Sequence, residues 1–507
     1  MLGQIISEAL TLHNILIMNL GITLGIIIGA MPGLSLTFAV TVVLTLTYGM
    51  DSMAGMYLLL GTYCGGMYGG SITAILINTP GTSNAAATVF DGYPLAQQGR
   101  SGDALRCALI SSTIGGIFSA TVLLFLAPQV AKIVLLIGSP EYFALCVFGM
   151  LAAIGTARKN KIKGLISAML GLLMSTVGLD QIYGSQRLMF GNYRLMGGLK
   201  VSTCMLGAYA LTQVLFMAKK VYDEHHEGEN QKVQFVKSRF GLRDTLKYWK
   251  TLLRSSVIGV IIGAIPGTGG ATSAMFCYNE ARRVSKNADN FGKGEMEGVV
   301  AAECGNNAVT GATLIPMLTL GIPGDSLTAI MLGALTMQGI VPGSQLFSSG
   351  NIWVYAIMGG LLLINLFMFF QGLLFSRAFA NISRVPTIIM IPCIIAVCCM
   401  GGFAIGNTTF EVSLLIAFGL IGYLMRRFDF PIPPMTIGLV LGELFETNLR
   451  RSLVLSDGSA NIFFTRPGSL IILILSLVFA FMPEIKALLA KNKLNKQTIR
   501  GNGEETK

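Results

Sequence analysis

The 507-residue chain is 53% hydrophobic and only 12% charged, with a mean hydropathy of +0.67. Because soluble domains carry about 25% charged residues, this composition excludes a soluble domain as the main body of the chain. The net charge of +11 is divided among short basic clusters between apolar runs, which is typical of orientation signals in membrane proteins rather than of a nucleic-acid-binding face. The composition therefore predicts an all-α polytopic membrane protein.

Apolar runs long enough to cross a bilayer recur along the whole chain. The first follows "MLGQIISEALTLH", which has no Lys or Arg and so lacks the basic region of a cleaved signal peptide. We expect this span to be retained, with the N-terminus outside. Candidate spans, some of them half-spans, begin near Asn14, Leu36, Met53, Ala104, Gln129, Glu141, Gly164, Gly198, Ser255, Val299, Leu327, Ile352, Thr387, Glu411, Pro433 and Ser469.

Three basic segments are assigned to the cytoplasm: "RKNKIK" at 158–163, the polar interruption at 219–254, and the tail after Lys486. An N-terminus outside then requires an odd number of crossings before the interruption, and a tail inside requires an even number after it. Taken literally, this parity argues against a simple inverted duplication. The predicted organisation is a first membrane repeat at 1–218, a cytoplasmic linker at 219–254, a second membrane repeat at 255–485 and a cytoplasmic tail at 486–507.

The two halves of the chain nevertheless resemble each other. "GIIIGAMPGLS" (25–35) matches "GVIIGAIPGTG" (259–269), "TPGTS" (79–83) matches "IPGDS" (322–326), and "PLAQQG" ending at Gly99 matches "ALTMQG" ending at Gly339. One such match could be chance, but three in the same order indicate a duplicated unit. Duplicated units of this kind are typical of secondary transporters.

Each half carries a Pro-Gly pair among polar residues at a place where an apolar run should continue. Pro80 and Pro323 each remove an amide donor, and Gly81 and Gly324 permit a positive φ, so we expect re-entrant or broken helices at both places. Irregular backbone at membrane depth is tolerated only where protein buries it or a watery cavity receives its polar groups. Its exposed N–H groups suit a carboxylate and its carbonyls suit Na⁺.

Packing is the alternative interpretation for several of these features. The pairs Gly25/Gly29 and Gly259/Gly263 are better explained by close helix contacts than by a site. For the Pro-Gly pairs a site is favoured over packing, because polar side chains flank both breaks. The run "YGGSITAIL", with Gly70 and Ser71, fits close approach of a ligand or of another backbone equally well.

A carboxylate lies inside a later apolar run, in "AAECGNNAVTG" (301–311). Glu303, Asn306, Asn307 and Thr310 share one helix face, and a carboxylate in a span is a functional candidate by default, although a helix end near the interface is the alternative. The run "RRFDFPIPPM" (426–435) is read as a loop with an inside-facing basic cluster rather than as a substrate clamp. The nine cysteines show no metal spacing and are read as core packers.

The motifs "GIIIGAMPGLS", "GTYCGGMYGGSITAILINTPGTSNAAATVFDGYPLAQQGRSGDALR", "GAIPGTGGATSA" and "AECGNNAVTGATLIPMLTLGIPGDSLTAIMLGALTMQGIVPG" resemble the large permease (TctA-type) subunit of the tripartite tricarboxylate transporter family. The resemblance implies a bacterial inner-membrane secondary transporter for organic acids such as citrate, with Na⁺ as the coupling ion and no cofactor. It also implies a small four-span membrane subunit, a periplasmic solute-binding protein, inverted repeats despite the charge parity, and an elevator-like motion.

The motif positions of the family, carried over to this sequence, form the candidate substrate and ion site. They are Pro32, Gly33, Ser35, Gly70, Ser71, Asn78, Thr79, Pro80, Gly81, Thr82, Ser83, Pro266, Gly267, Thr268, Asn306, Asn307, Pro323, Gly324, Asp325 and Ser326. The candidate Na⁺ ligands are Asn78, Thr82, Asn306 and Asp325. Because Asp325 stands where the first half has Thr82, two ion sites, one in each half, would be unequal.

Three other function classes are weighed against transport. An intramembrane enzyme is disfavoured, since His13, His225 and His226 lie at a terminus or in the polar interruption and no HExxH or GxSxG occurs. A nucleotide-driven pump lacks a GxxxxGK[ST] loop. A passive anion channel remains open, because broken helices also build pores.

Overall fold

The structure is a computed structural model that describes residues 10–155, 160–180, 182–223, 238, 240–347, 351–382 and 387–480. The predicted tail 486–507 and residues 224–237 and 239 of the predicted linker, which include His225 and His226, lie outside the described residues, as do Arg158 and Lys159 of the first basic segment. The proposed boundaries of the two repeats stay a prediction.

Helices account for nearly all of the regular structure in the described part of the chain. The first half contains α1 (Leu12–Gly29), α2 (Leu36–Leu44), α3 (Ser52–Ile77), α4 (Val89–Leu95), α5 (Ser101–Val134), α6 (Ser139–Gly155), α7 (Lys161–Ser175), α8 (Val201–Met205) and α9 (Thr212–Asp223). A π-helical segment, Leu206–Leu211, joins α8 to α9. Two two-residue strands, β1 (Gly178–Leu179) and β2 (Gln186–Arg187), form an antiparallel pair between α7 and α8.

The second half has the same helical character. It contains α10 (Leu242–Leu246), α11 (Trp249–Ala264), α12 (Gly269–Val284), α13 (Met296–Asn307), α14 (Val309–Ala312), α15 (Leu314–Leu320), α16 (Ser326–Met337), α17 (Ile352–Ile382), α18 (Thr387–Gly406), α19 (Thr409–Arg427), α20 (Ile432–Leu455), α21 (Ile462–Thr465) and α22 (Pro467–Ala480). Within the described residues, six helical stretches are long and apolar enough to cross a membrane. This confirms the coarse prediction of an all-α polytopic membrane protein.

Most predicted spans begin within a few residues of an observed helix, but the span predicted near Gln129 is wrong. Helix α5 runs without interruption from Ser101 to Val134 and contains Pro128 in its interior. A proline inside a membrane helix removes one hydrogen bond without ending the helix, because neighbouring groups can satisfy the freed carbonyl. Conversely, α12 was not among the predicted spans. Its apolar character is weaker, since it ends in Arg282 and Arg283.

Helices α1 and α2 form a hairpin whose two open ends lie beside the start of α3. The Asn14 amide at the start of α1 lies 3.9 Å from the Met53 sulfur, and Thr47, just after α2, packs against Gly55. Between these ends α1 packs tightly along α3. A Cβ on Gly29 would lie 2.7 Å from the Gly66 carbonyl oxygen, which confirms that this glycine serves close packing.

Helices α11 and α12 form a second hairpin, with its open ends beside the start of α13. The carboxylate of Glu297 accepts hydrogen bonds from Thr251 at 2.5 Å and from Ser285 at 2.6 Å, and these two residues lie at the two open ends. Gly259 and Gly263 pack directly against the α13–α14 segment, as the packing interpretation predicts.

The helices that follow the two hairpins cross in opposite directions. Ser71 near the end of α3 contacts Glu303 early in the α13–α15 segment, while Tyr63, earlier in α3, contacts Thr313, later in that segment. The two segments are therefore antiparallel, and the two hairpins open toward opposite faces of the helical bundle. Helix α5 lies alongside both segments and contributes Ser112 to the crossing.

The face toward which the second hairpin opens carries most of the positive charge that the structure describes, and we call it the basic face. Arg106 in α5 donates to the Phe240 carbonyl beside α10 at 3.3 Å, which brings the start of α5 to this face. Helix α19 begins beside the open end of the first hairpin, where the Asn407 amide lies 3.5 Å from the Tyr48 hydroxyl, so the Arg426–Arg427 pair at its other end lies at the basic face. Lys163 at the start of α7 donates to the carbonyl of Phe428 at 2.6 Å and lies there too. The other end is called the opposite face.

Candidate functional site

The first Pro-Gly loop (residues 78–83) begins where α3 ends. Asn78 caps that helix in the left-handed conformation, with φ 56°. The chain then turns back, and the Gly81 amide donates to the Gly70 carbonyl at 3.1 Å, so Gly70 makes room for another backbone rather than for a ligand. Thr82 is buried and its hydroxyl has no hydrogen-bond partner in the described part of the chain, whereas Ser83 is exposed.

The second Pro-Gly loop (residues 321–325) has a similar course but is buried throughout. Gly321 ends α15 with φ 71°, and Gly324 returns to lie against Thr313. The separation between Thr313 and Gly324 along the chain equals that between Gly70 and Gly81. The Gly324 carbonyl also accepts a hydrogen bond from the Gly267 amide at 2.6 Å, which ties this loop to the turn of the second hairpin.

Asp325 acts as the N-terminal cap of α16. Its Oδ1 accepts from the amides of Leu327 at 3.1 Å and Thr328 at 2.8 Å. Its Oδ2 accepts from the Tyr63 hydroxyl of α3 at 3.3 Å, which links the two halves. The side chain thus has an evident structural role besides its predicted role in ion binding. The next residue, Ser326, is half-buried at the start of α16.

The turns of the two hairpins have matching glycine conformations but different surroundings. Gly33 (φ 86°) and Gly267 (φ 85°) occupy the same region of φ, which favours glycine. Gly33 is exposed beside Pro32, while Gly267 lies beside half-buried Thr268 and packs against Ala152 and Ala153 of α6. Ser35 caps α2 by accepting from the Phe38 amide at 3.0 Å.

An asparagine cluster, formed by Asn84, Asn306 and the adjacent Asn307, lies where the halves meet, and Asn84 and Asn306 lie beside Gly270. A Cβ on Gly270 would lie 2.6 Å from Asn306 Oδ1 and 3.1 Å from Asn84 Nδ2. Both side-chain polar atoms of Asn306 and Oδ1 of Asn307 are buried without a hydrogen-bond partner among the described residues. Buried amide groups are normally hydrogen-bonded, so these side chains stand out as the part of the predicted site with polar atoms left to pair.

Glu303 lies one helical turn before Asn306 and is fully buried. Its carboxylate accepts hydrogen bonds from Ser71 at 2.5 Å, from Ser112 at 2.8 Å and from Thr88. Among the described residues no basic side chain forms an ion pair with it. A buried carboxylate held only by hydroxyl groups is a candidate to take up a proton or a cation, because no basic side chain among the described residues compensates its charge.

A second buried carboxylate, Asp91, has a structural role. Its Oδ1 accepts from the amides of Gly292, Gly294 and Glu295 at 2.8–2.9 Å, and its Oδ2 accepts from the Tyr278 hydroxyl at 2.9 Å. These bonds fasten the connection between α12 and α13 to the first half.

A cavity of about 430 Å³ opens beside the first Pro-Gly loop. It is lined by residues of that loop, the first hairpin turn, the π-helical segment and the start of α20, with Arg426 at its edge. The interpretation of the "RRFDFPIPPM" run as a loop with an inside-facing basic cluster stays a prediction, and the structure adds that Arg426 lines the same cavity as Pro80, Gly81 and Ser83. The sequence signal for it was its position directly after an apolar run.

The predicted site residues thus fall into separate places. Thr82, Asn306 and Asn307 are buried with unpaired polar atoms, Asp325 lies in the second Pro-Gly loop, and Asn78 and Thr79 are exposed at the outer end of the first. Pro266 and Pro323 are buried scaffold positions. The sequence did not single out Tyr63, Thr88 or Ser112, because isolated hydroxyl groups in apolar runs carry no pattern.

On the opposite face, an ionic cluster ties the β1–β2 loop to α20. Asp180 pairs with Arg187 and, at 2.8 Å, with Arg450, and both arginines also pair with Glu446 at 2.7 Å. The backbone amide of Ile182 and then the guanidinium of Arg450 hold the pKa of Asp180 well below its ordinary value.

The described residues contain no group of three or more His, Cys, Asp or Glu side chains placed to share a metal ion. All nine cysteines are free, and seven of them are buried, as core packing predicts, whereas Cys393 is exposed and Cys399 is half-buried.

Comparison with known proteins identifies the family. The model of the tripartite tricarboxylate transporter TctA family matches residues 15–437. A protein of Agrobacterium vitis, described as an uncharacterized 52.8 kDa protein in the TAR-I ttuC' 3' region, is 33% identical over 482 residues, covering 94% of this chain and 95% of that protein. An uncharacterized protein in the TAR-II ttuC' 3' region of the same organism is 33% identical over 232 residues, covering 45% of this chain and 96% of that protein. No solved structure matches the chain. Since the family model matches most of its length and its described helices include six that are long and apolar enough to cross a membrane, this chain belongs to the tripartite tricarboxylate transporter TctA family.

Proposed function

We propose that this chain is the large permease subunit of a secondary transporter that takes up tricarboxylates or related organic acids, such as citrate, across the bacterial inner membrane. Uptake is coupled to an ion gradient, with Na⁺ as the ion, and the chain itself is not an enzyme. The observation that carries this proposal is Asn306, whose side-chain amide is buried at the meeting of the two halves with both polar atoms unpaired. Such an amide supplies the hard oxygen and the donor that a cation and a carboxylate require.

The two halves are proposed to be inverted repeats whose Pro-Gly loops are the tips of broken helices. The antiparallel crossing of α3 and the α13–α15 segment supports this, as do the hairpins that open on opposite faces. The charge parity agrees with inversion if the last helix of the segment 255–485, α22, is an additional crossing that has no counterpart in the first repeat. The remaining helices of each repeat would then contribute an odd number of crossings, and α22 would make the second half even.

Na⁺ is proposed to bind near the asparagine cluster, with Thr82 and Asn306 as neutral oxygen ligands. The uncompensated carboxylate of Glu303, one turn away, supports a cation there. In the second half, Asp325 takes the position that Thr82 has in the first half, and it accepts a hydrogen bond from Tyr63 of the first half. Asn78, exposed and left-handed, is proposed to act through the backbone of the first loop.

The proposed partners are a small four-span membrane subunit and a periplasmic solute-binding protein that delivers the carboxylate. Family membership supports both, because the tripartite system requires them. The basic face is then the cytoplasmic face, because positive residues concentrate on that side of inner-membrane proteins.

Transport by reconstituted vesicles tests the proposal. The permease and its small subunit are reconstituted into liposomes, and radioactive citrate is added with the binding protein under an imposed Na⁺ gradient. We expect accumulation above the external concentration that requires both the gradient and the binding protein. Uptake that only equilibrates citrate, whatever the gradient, would instead establish the passive anion channel.

The Asn306→Ala variant tests the observation on which the proposal rests. We expect it to lose Na⁺-dependent accumulation, while Asn365→Ala, a matched change of another buried amide on α17, retains it. Asn365 also has an unpaired Oδ1 but donates to the Leu361 carbonyl within its own helix. Equal transport by wild type and Asn306→Ala would reject the asparagine cluster as the ion site.

A further inference from the structure

We infer that Arg426 is the cationic anchor of a carboxylate-binding cavity on the basic face, from which the substrate leaves the permease. This inference rests on the proposed function and adds to it a residue, a location and a ligand class. The cavity, of about 430 Å³, has the size of a small-molecule site and is larger than a tricarboxylate needs.

The guanidinium of Arg426 is positioned rather than loose. Its Nη1 donates to the Gln213 side-chain oxygen at 2.7 Å, and the guanidinium carbon lies 4.3 Å from the centre of the Phe216 ring. Gln213 in turn donates to the Gly33 carbonyl at 2.5 Å. The first hairpin turn, α9 and the end of α19 therefore hold the arginine in one place.

The positive charge of Arg426 is not neutralised by a carboxylate among the described residues. Among the described residues no aspartate or glutamate forms an ion pair with Arg426, whereas Arg187, Arg283, Arg450 and Arg466 each pair with a carboxylate. A fixed guanidinium with free donors matches the planar geometry of a carboxylate better than a lysine would. The other polar side chains lining the cavity are the amide of Gln213 and hydroxyl groups, among them Ser35, Thr37 and Ser83. The described lining contains no carboxylate that would repel the ligand.

The first Pro-Gly loop is open to the cavity and the second is not. This difference indicates at which step of transport the cavity would hold the substrate. Pro80, Gly81 and Ser83 line the cavity, whereas every residue from Ile322 to Asp325 is buried. The structure therefore exposes the first loop to the basic face and encloses the second. A carboxylate released from the first loop toward this face passes Arg426.

Protection of an engineered cysteine tests the inference without relying on transport. Thr37 is half-buried in the cavity lining, outside both Pro-Gly loops, and is changed to cysteine. The background also carries Cys393→Ser and Cys399→Ser, since these two cysteines are not fully buried. In inside-out vesicles holding the permease and its small subunit, a membrane-impermeant maleimide labels the cysteine with and without citrate, and glycerol serves as the neutral control.

We expect citrate, but not glycerol, to slow labelling of the cysteine at position 37. Arg426→Gln should raise the citrate concentration for half-protection about 10- to 100-fold, the range for a hydrogen bond to a charged group. Arg426→Lys should give a smaller loss, because it keeps the charge. The adjacent Arg427→Gln, which lies outside the cavity lining, should leave protection unchanged.

Three results would overturn the inference: protection that survives Arg426→Gln, an equal loss with Arg427→Gln, or equal protection by inorganic phosphate, which would make this a general anion surface. A change in the labelling rate without citrate would reveal a distorted Arg426→Gln protein, and the decision then rests on Arg426→Lys against Arg427→Lys. The same vesicles are assayed for Na⁺-driven citrate movement. Failure of that assay with intact protection rejects the coupling, whereas transport without protection rejects the role of Arg426.

Discussion

The hydroxyl of Ser71 donates a hydrogen bond to the carboxylate of Glu303 across 2.5 Å, from the first half of the chain to the second. Thr88 and Ser112 donate to the same carboxylate, so three elements of the first half converge on one residue of α13. This arrangement does two things at once. It fixes the crossing of the halves, and it holds a carboxyl group that has no ion-pair partner among the described residues one turn from Asn306.

Replacing Glu303 by glutamine separates these two roles. We expect Glu303→Gln to retain the fold, because the amide oxygen can still accept hydrogen bonds, but to weaken Na⁺ binding, because the charge is lost. The readout is the Na⁺ concentration that gives half-maximal citrate uptake, which should rise at least about tenfold for a loss of about 1.4 kcal/mol.

Glu303→Leu is the structural control. It leaves three hydroxyl groups without their acceptor, and each buried polar group left unpaired costs about 1–3 kcal/mol. The thermal midpoint should therefore fall for Glu303→Leu and stay close to wild type for Glu303→Gln. An unchanged Na⁺ dependence in Glu303→Gln would show that the charge is not used for the ion.

Asp325→Asn should abolish uptake while the protein inserts and folds normally. Asparagine is as good a helix cap as aspartate, so the bonds to Leu327 and Thr328 can persist. The negative charge is removed, and the oxygen that accepts from the Tyr63 hydroxyl becomes an amide donor, to which that hydroxyl can serve as the acceptor. Uptake by the purified variant is compared with its thermal midpoint, and normal uptake would reject Asp325 as part of the site.

Asn78→Ala should also abolish uptake, and the structure supplies a control for it. Asn78 has φ 56°, a conformation that asparagine and glycine adopt far more readily than alanine. If the residue acts through the backbone of the first loop, Asn78→Gly restores uptake. If its side chain is itself a ligand, Asn78→Gly fails as completely as Asn78→Ala.

The two hairpin turns allow a matched comparison. Gly33→Ala should lower the free energy of unfolding by about 1–2 kcal/mol, because alanine disfavours the left-handed conformation. No steric clash adds to this, since nothing lies within 4 Å of the Cβ position. Gly267→Ala meets the same cost, and its Cβ would also lie 2.5 Å from the Ala153 amide nitrogen. Overpacking adds about 1–3 kcal/mol, so Gly267→Ala should lower the thermal midpoint more. Equal midpoints would contradict the close packing of this turn against α6.

The sequence could predict the membrane class and most helix starts, because these depend on hydropathy. Proline and glycine also predicted interruptions at 78–83 and 321–325, and their interpretation as the tips of broken helices stays a proposal. It could not predict that Glu303 is held by Ser71, Thr88 and Ser112, since these contacts join residues far apart in the chain. For Arg426 the sequence did offer an explanation, but an incomplete one. A basic residue after an apolar run is explained well by orientation, and only the packing of α9 against α19 reveals its cavity.

The ionic cluster on the opposite face should make the protein sensitive to acid in a defined range. The pKa of Asp180 is lowered in the folded state by the Ile182 amide and by Arg450, and its side chain is only 4% exposed. The stabilisation is therefore fully present above the ordinary aspartate pKa of about 3.9 and is lost as the pH falls through the lower folded value. Asp180→Asn should lower the thermal midpoint equally at pH 7 and pH 5, and its difference from wild type should shrink as the pH falls below about 4.

Asp457→Asn, at an exposed aspartate with no ion pair among the described residues, serves as the control and should match wild type throughout. A difference between Asp180→Asn and wild type that stays constant at lower pH would show that the carboxylate contributes through shape and not through its charge.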